Sequence, residues 1–200
     1  MFTGIIESLG EVVELRTEGT NLVLRFKVKL DAEPIQIDQS IAHNGTCLTV
    51  TEIFQNKTSG EKEYEVVAVQ ETLEKTNLGN FREGDLINVE RCMKVGQRLD
   101  GHFVQGHVDT VGEVAYVEDR DGSWMVGFKF PEEHAHLMVD KGSITINGVS
   151  LTVVECSQGT FNVTIIPYTW EHTNFHTFKE GTPVNLEFDI LGKYITKMHR

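Results

Sequence analysis

The chain carries one sequence pattern twice, and this repeat limits its fold more than any other feature. Residues 4–12 (GIIESLGEV) align with residues 106–114 (GHVDTVGEV) at an offset of 102. Residues 40–52 align with 143–155 at an offset of 103, and residues 64–90 with 161–187 at an offset of 97. One event explains the change: the first copy holds six additional residues between Glu52 and Tyr64. Of the 49 aligned positions 22 are identical, where ordinary residue frequencies give about three by chance. The repeat is a duplication. At about 95 residues each copy is far longer than a solenoid unit of about 20–50 residues, so each is a domain.

The copies place a first domain at residues 1–97, a second at 98–189 and a tail at 190–200. A short hydrophilic joint, residues 94–98 (KVGQR), separates them. No Pro-rich or Ser-rich linker is present, so the two domains are expected to sit close together.

Within each copy the pattern is that of strands. Residues 22–28 (LVLRFKV) alternate apolar and polar side chains in their second half, and residues 63–67 do so briefly. Two β-branched runs in residues 145–153 are broken by Asn147-Gly148, a hairpin-turn pair, and Asn44-Gly45 stands at the same place in the first copy. Turns at Glu83-Gly84-Asp85 and Glu180-Gly181-Thr182 precede strands at 86–89 and 184–188. Helical signal is local. Pro131 followed by two acids predicts a short helix over 131–138, residues 72–75 another, and residues 191–200 a helical end. Many short strands with turns about every ten residues predict an all-β chain of two antiparallel barrels.

Composition removes several function classes. Apolar residues at 40% supply real cores, while 30 Asp plus Glu against 18 Lys plus Arg leave a net charge of −12. Nucleic acid and anionic membrane surfaces need local positive charge and are poor partners for it. The N-terminus has neither the basic stretch nor the apolar run of a signal peptide, and no segment approaches a membrane span of about 18–20 apolar residues. Cys47, Cys92 and Cys156 are odd in number, widely spaced and without a CxxC, which favours reduced thiols in the cytoplasm over a disulfide framework or a zinc site. The glycosylation sequon at Asn56-Lys57-Thr58 is read as chance.

Several catalytic signatures are missing: no GxGxxG before a helix, no P-loop, no HExxH, no GxSxG. His134-Ala135-His136 supplies half a metal site and is read as a solvated helix face, with no metal expected. His43 and His199 are read as surface or packing residues, and Met93, Trp124 and Trp170 as core or interface.

Among the positions where the copies agree, shared polar ones stand out: Ser40/Ser143, Asn44/Asn147, Thr49/Thr152, Thr72/Thr169, Thr76/Thr173 and Asn77/Asn174. Repeated hydroxyl and amide side chains suit an uncharged ligand bearing several hydroxyls or a heteroaromatic edge. Turn and barrel-corner duty explains Asn44, Asn147, Thr76 and Asn77 more simply; for the Leu-Thr pairs both readings stand. The disagreements are Ile5/His107, Cys47/Ser150, His43/Ile146 and Glu71/Tyr168. They suggest two related pockets with divided labour, one supplying His107 for proton transfer and the other Cys47 as acid, nucleophile or ring neighbour.

The start MFTGII, NGTCLTV at 44–50, ETLEKTNLG at 71–79, GHFVQGHVDT at 101–110 and INGVSLTV at 146–153 closely resemble the riboflavin synthase family, in order and over nearly the whole chain. The resemblance implies two tandem six-stranded antiparallel Greek-key barrels, no metal or organic cofactor, and a transferase of riboflavin biosynthesis. The implied reaction is dismutation of two 6,7-dimethyl-8-ribityllumazine molecules to riboflavin and 5-amino-6-ribitylaminouracil. Each barrel would bind one lumazine. The active site would lie between the N-terminal barrel of one subunit and the C-terminal barrel of another in a homotrimer, with lumazine synthase as a candidate partner.

Carried over by motif, the first pocket takes Gly4, Ile5 and Ile6; Cys47, Leu48 and Thr49; and Val67, Ala68, Val69, Gln70, Glu71 and Thr72. The second takes Gly106, His107 and Val108; Lys141; Ser150, Leu151 and Thr152; and Thr164, Ile165, Ile166, Pro167, Tyr168 and Thr169. The implied catalytic set is His107, Cys47, Ser40 and Asp189, with Phe2 and Thr3 at the mouth. The chain departs from the family pattern at Asn147, where many members carry an acid, and in its eleven residues after Asp189. A lumazine- or flavin-binding antenna protein of the same fold is the alternative, but such relatives tend to lose the threonine and histidine kept here as Thr3 and His107. A flavin reductase would need a nicotinamide-binding half for which the chain has no room.

Overall fold

A computed structural model describes residues 1–30, 34–55 and 62–199. The sequon at Asn56 and most of the first copy's extra residues lie outside the described residues. Strands β1 (Ser8–Glu18), β2 (Asn21–Val28), β3 (Ser40–His43), β4 (Thr46–Gln55), β5 (Lys62–Ala68) and β6 (Leu86–Arg91) close into a barrel in the order β1-β2-β5-β4-β3-β6. The second copy supplies β7 (Thr110–Asp119), β8 (Trp124–Lys129), β9 (Ser143–Ile146), β10 (Val149–Ser157), β11 (Thr160–Ile165) and β12 (Pro183–Phe188), closed in the same circuit, β7-β8-β11-β10-β9-β12. Short helices α1 (Gln70–Lys75) and α2 (Pro167–His172) follow β5 and β11, and α3 (Ile190–Met198) ends the described chain.

The expected all-β fold of two antiparallel barrels is what forms, and local chemistry accounts for it. Both Asn-Gly pairs turn with positive φ at each residue, 46° and 80° for Asn44-Gly45 and 45° and 82° for Asn147-Gly148. Two consecutive left-handed residues match the twist of the flanking strands. Closing a small barrel also requires bent strands. Equivalent bulges provide the bend, at Val12/Glu14 and Val114/Tyr116, and again at Val50/Glu52 and Val153/Glu155. The segment after Pro131 winds into a 3-10 helix, Glu132–Leu137, instead of an α-helix. Its His134 ring lies 5.3 Å from Phe188, so this histidine packs against the barrel and is not part of a solvated face.

The two cores differ at one polar pair. In the first, fully buried His43 stacks on Phe26 at 4.7 Å and its Nε2 meets the Tyr64 hydroxyl at 2.9 Å. The second copy places Ile146 and Phe161 there, both buried. Burial drives the His43 imidazole down to about pH 3, so the fold holds it neutral while the unfolded chain titrates it near 6.5. Between those values the unfolded state binds the extra proton and stability falls as pH falls. His43 by itself should therefore contribute about 2 kcal/mol less stability at pH 5 than at pH 7. The double variant His43→Ile/Tyr64→Phe, which copies the second barrel, is expected to shift the pH 5 stability, relative to that at pH 7, upward by about that amount against the parent, as read from urea midpoints at the two pH values. An unchanged slope would show that His43 is already protonated in the fold.

Six buried asparagines join the barrels. Asn77 N donates to Asn185 Oδ1 at 2.7 Å and Asn174 N to Asn88 Oδ1 at 2.8 Å. Asn88 Nδ2 reaches the Asn147 carbonyl and Asn185 Nδ2 the Asn44 carbonyl, both at 2.9 Å. The hairpin turns meet so closely that a Cβ on Gly45 would stand 2.8 Å from Gly148 N, and one on Gly148 equally close to Gly45 N. Asn44, Asn147 and Asn77 thus do more than satisfy turns and corners: with their copies they form the seam, where one unpaired amide would cost about 1–3 kcal/mol.

Candidate active site

The segments that lead into β1 and β7 lie across the two barrels. Phe2 and Val104 form an antiparallel bridge, with Phe2 N donating to Val104 O at 2.7 Å and Val104 N to Phe2 O at 3.2 Å. Each segment then docks on the opposite barrel: Ser150 N donates to Gly4 O at 2.8 Å, and Cys47 N to Gly106 O at 2.9 Å. Both glycines have φ near +80°, and a Cβ would come within 2.5 Å of Ser150 Cβ at Gly4 and 2.6 Å of Cys47 Cβ at Gly106. Only glycine fits. This exchanges the expected grouping. Gly4 and its neighbours belong with Ser150, and Gly106 with Cys47. His107 therefore follows the residue docked on Cys47, so the expected division of His and Cys between separate pockets does not hold.

A buried carboxylate fixes each segment. Glu90, near the end of β6, accepts from Thr3 N at 2.6 Å, Thr3 Oγ1 at 2.8 Å and Gly4 N at 3.0 Å. Glu187, at the same place on β12, accepts from Gln105 N at 2.6 Å and from Gly106 N and His107 N at 2.9 Å. Burial pushes Glu90 up to about 7 against the pull of its donors. Glu187 is raised for the same reason, with Lys193 and the rim N–H groups opposing.

In the first pocket Cys47 is half-buried, and its thiol shares a hydrogen bond with Ser40. Burial raises the thiol above its ordinary value while Ser40 pulls it down. The net rise leaves a neutral thiol at physiological pH, which suits an acid or a ring neighbour better than a thiolate nucleophile. Phe2 is fully buried against Ala42, Val104, Cys47 and Cys92. Thr49 and Val69 open to solvent, whereas Leu48 and Ala68 point into the core; Ala68 can offer a ligand only its backbone.

The second pocket holds a hydrogen-bonded histidine. His102 Nδ1 lies 2.7 Å from Ser150 Oγ, and its Nε2 lies 3.2 Å from Thr145 Oγ1. Burial holds His102 below the ordinary imidazole value, with the Asp189 carboxylate acting the other way. A neutral imidazole between two hydroxyls accepts at one nitrogen and donates at the other, so it can take a proton from, or return one to, the Ser150 side. The backbone brings it there through Gly101, where a Cβ would collide with Thr3 O. Asp189 Oδ1 also caps α3 by accepting from Leu191 N at 2.9 Å. A cleft of about 530 Å³ opens beside Thr3 and Ile5, with Glu90 and Arg91 on its wall.

The family described as the lumazine binding domain matches the chain twice, over residues 3–92 and 105–189. Riboflavin synthase of Actinobacillus pleuropneumoniae is 38% identical over 195 residues, covering 98% of this chain and 88% of that protein. Riboflavin synthase of Mycobacterium bovis is 40% identical over 206 residues, covering 100% and 98%. The chain belongs to the riboflavin synthase family. The crystal structure of LumP complexed with riboflavin superposes with a TM-score of 0.80 at 20% identity, covering 94% of this chain and 99% of that one, a likeness of fold.

Of the residues carried over by motif, the structure brings a few into direct contact. Ser40 and Cys47 meet beside Gly106, and Ser150 meets Gly4. Thr152, Thr164, Ile166, Pro167 and Tyr168 are exposed, while Ile165 is buried in the core and offers only backbone. Lys141 sits in a turn at φ 64°, its N–H donating to Val153 O. The His107 ring is exposed, and the hydrogen bond to Glu187 comes from its backbone. Two features escaped the sequence reading. His102 lies in the GHFVQGHVDT motif, five residues before His107. Glu90 and Glu187 are an identical pair at the last position of an aligned run, and that identity is their signal in the sequence. Among the described residues no group of three His, Cys, Asp or Glu could hold a metal, and no helix is long and apolar enough to cross a membrane.

Proposed function

We propose that the chain acts as a cytoplasmic riboflavin synthase, converting two molecules of 6,7-dimethyl-8-ribityllumazine into riboflavin and 5-amino-6-ribitylaminouracil. The observation that carries this reading is the doubled pocket, with one docking arrangement repeated at Cys47 and at Ser150. A reaction that consumes two copies of one molecule is served directly by two copies of one site. A four-carbon unit leaves one ring and completes the other, so atoms and electrons balance without an oxidant or reductant. Holding the rings together turns a bimolecular encounter into an intramolecular one, which can remove about 7–11 kcal/mol of barrier.

The lumazine methyl protons are already acidic because the ring delocalises the carbanion, so the protein needs to position, move protons and stabilise charge. His102 with Ser150, and His107, are the proton-transfer groups. Ser40 and the neutral Cys47 thiol assist addition at the ring in the first pocket. Strand-end amides face the pyrimidinedione edge, and Thr49, Thr152 and Thr164 are placed to hold ribityl hydroxyls.

The working assembly is a homotrimer in which the first pocket of one chain faces the second pocket of another. Support comes from α3, where Leu191, Tyr194, Ile195 and Met198 are 57%, 66%, 58% and 83% exposed at the spacing of one helix face. Only the family resemblance supports lumazine synthase as a partner.

Purified protein with lumazine and a chelator is expected to consume two lumazines per riboflavin formed, at an unchanged rate without the chelator. Tight lumazine binding with no flavin after hours would favour the antenna-protein reading, against which stand Thr3, His107 and the Ser150-Leu151-Thr152 run.

A further inference from the structure

Each pocket is bounded by a segment whose amides are gathered by a carboxylate from the other barrel. Glu90 stands on β6 of the first barrel, yet the Thr3 and Gly4 N–H groups it holds lie on the segment that docks at Ser150 of the second. Glu187 stands on β12 of the second barrel and holds Gln105, Gly106 and His107 on the segment that docks at Cys47 of the first. Burying a carboxylate is costly and is a weak route to stability, but both copies of the duplication keep one here. Several donors converging on one charged acceptor form short, directional bonds that fix a backbone closely.

We propose that Glu90 and Glu187 are positioning residues acting crosswise, each setting the ligand-binding edge of the pocket in the opposite barrel. The identity of that ligand rests on the function proposed above; the crossing itself does not. Glutamine at either position replaces one acceptor oxygen by a donor amide facing a donor N–H, so at least one rim amide loses its partner. The segment then loosens where it meets the other barrel, at Gly4 O···H–N of Ser150 or at Gly106 O···H–N of Cys47.

The test compares Glu90→Gln and Glu187→Gln in the full chain by amide hydrogen exchange at Cys47 and Ser150, without ligand, and then by titration with 6,7-dimethyl-8-ribityllumazine read at the same two amides. Exchange at Cys47 is expected to accelerate at least tenfold in Glu187→Gln with Ser150 unchanged within twofold, and the reverse in Glu90→Gln. Lumazine affinity should weaken at least tenfold at the same crossed site. Acceleration at both amides in either variant, in the barrel that carries the substitution, or at neither would overturn the proposal. Should a glutamine variant fail to fold, Glu90→Asp and Glu187→Asp, which keep the charge on a shorter stem, must show the same crossed pattern or the proposal falls. Crossed exchange in a chain whose parent binds no lumazine would leave the crossing standing and remove the functional reading.

Discussion

Replacing His102 by alanine is expected to lower turnover about a thousandfold while weakening lumazine binding less than tenfold. General acid–base groups typically contribute about 10²–10⁴ in rate, and His102 is held for that work on both sides, by Ser150 Oγ at 2.7 Å and Thr145 Oγ1 at 3.2 Å. Its backbone is fixed as well, His102 N donating to Thr3 O at 3.1 Å. Burial keeps the ring below its ordinary value of 6.5, so it is neutral and able to accept a proton throughout the physiological range. Activity that depends on the neutral ring should decline only as pH drops through that lowered value. His102→Ala should erase this acid limb as well as the rate. Ser150→Ala removes the partner in the same path, so the double variant should cost little more than either single one. Steady-state turnover and equilibrium lumazine binding across pH provide the check. Equal losses in rate and affinity would mean that His102 only shapes the pocket. The same pair of measurements on His107→Ala decides how the two histidines share proton transfer.

The duplication made the barrels legible. Two copies of one strand pattern, each with an Asn-Gly turn of required left-handed geometry, leave little room for another architecture. Cys47 and Ser150 stand out for a related reason, as a difference between otherwise matching copies, while Ser40 and the Leu-Thr pairs stand out as polar positions that both copies keep. The exchange of leading segments was not legible. Gly4 and Gly106 align with each other equally well whichever barrel they dock on, since a duplicated sequence cannot tell its own partner from its twin's. Pairing through Ser150 N and Cys47 N is information held only in three dimensions. The place of His102 was hidden similarly: it lies five residues before His107 in one motif, and only the fold puts Ser150 beside it. The asparagine seam combined both cases. Turn chemistry at Asn44 and Asn147 could be read, but their bonds to Asn174 and Asn77 cross between domains.

Glutamate at both Leu191 and Ile195 is expected to split the proposed homotrimer into single chains and to cut turnover at least a hundredfold, with both barrels still folded. One side of α3 is committed to its own chain, where Lys193 Nζ pairs with Asp109 at 2.6 Å and a Cβ on Gly192 would lie 3.5 Å from the Leu137 carbonyl. Leu191, Tyr194, Ile195 and Met198 are left on the open side, four large apolar groups spaced as one face. A nine-residue helix is too short to persist in water on propensity alone. In the proposed homotrimer this apolar face is buried against copies of itself, and the first pocket of one chain faces the second pocket of its neighbour. Charged side chains on that face would be desolvated and mutually repelled in the assembly but are harmless on a lone chain. In the proposed reaction turnover needs two lumazines in facing pockets, whereas binding needs only one pocket. The variant should therefore keep lumazine affinity per chain within a few-fold while losing rate. Light scattering gives the molar mass and steady-state assay the turnover. A parent that is already a single chain, or a dissociated variant with full turnover, would show that one chain brings both rings together by itself.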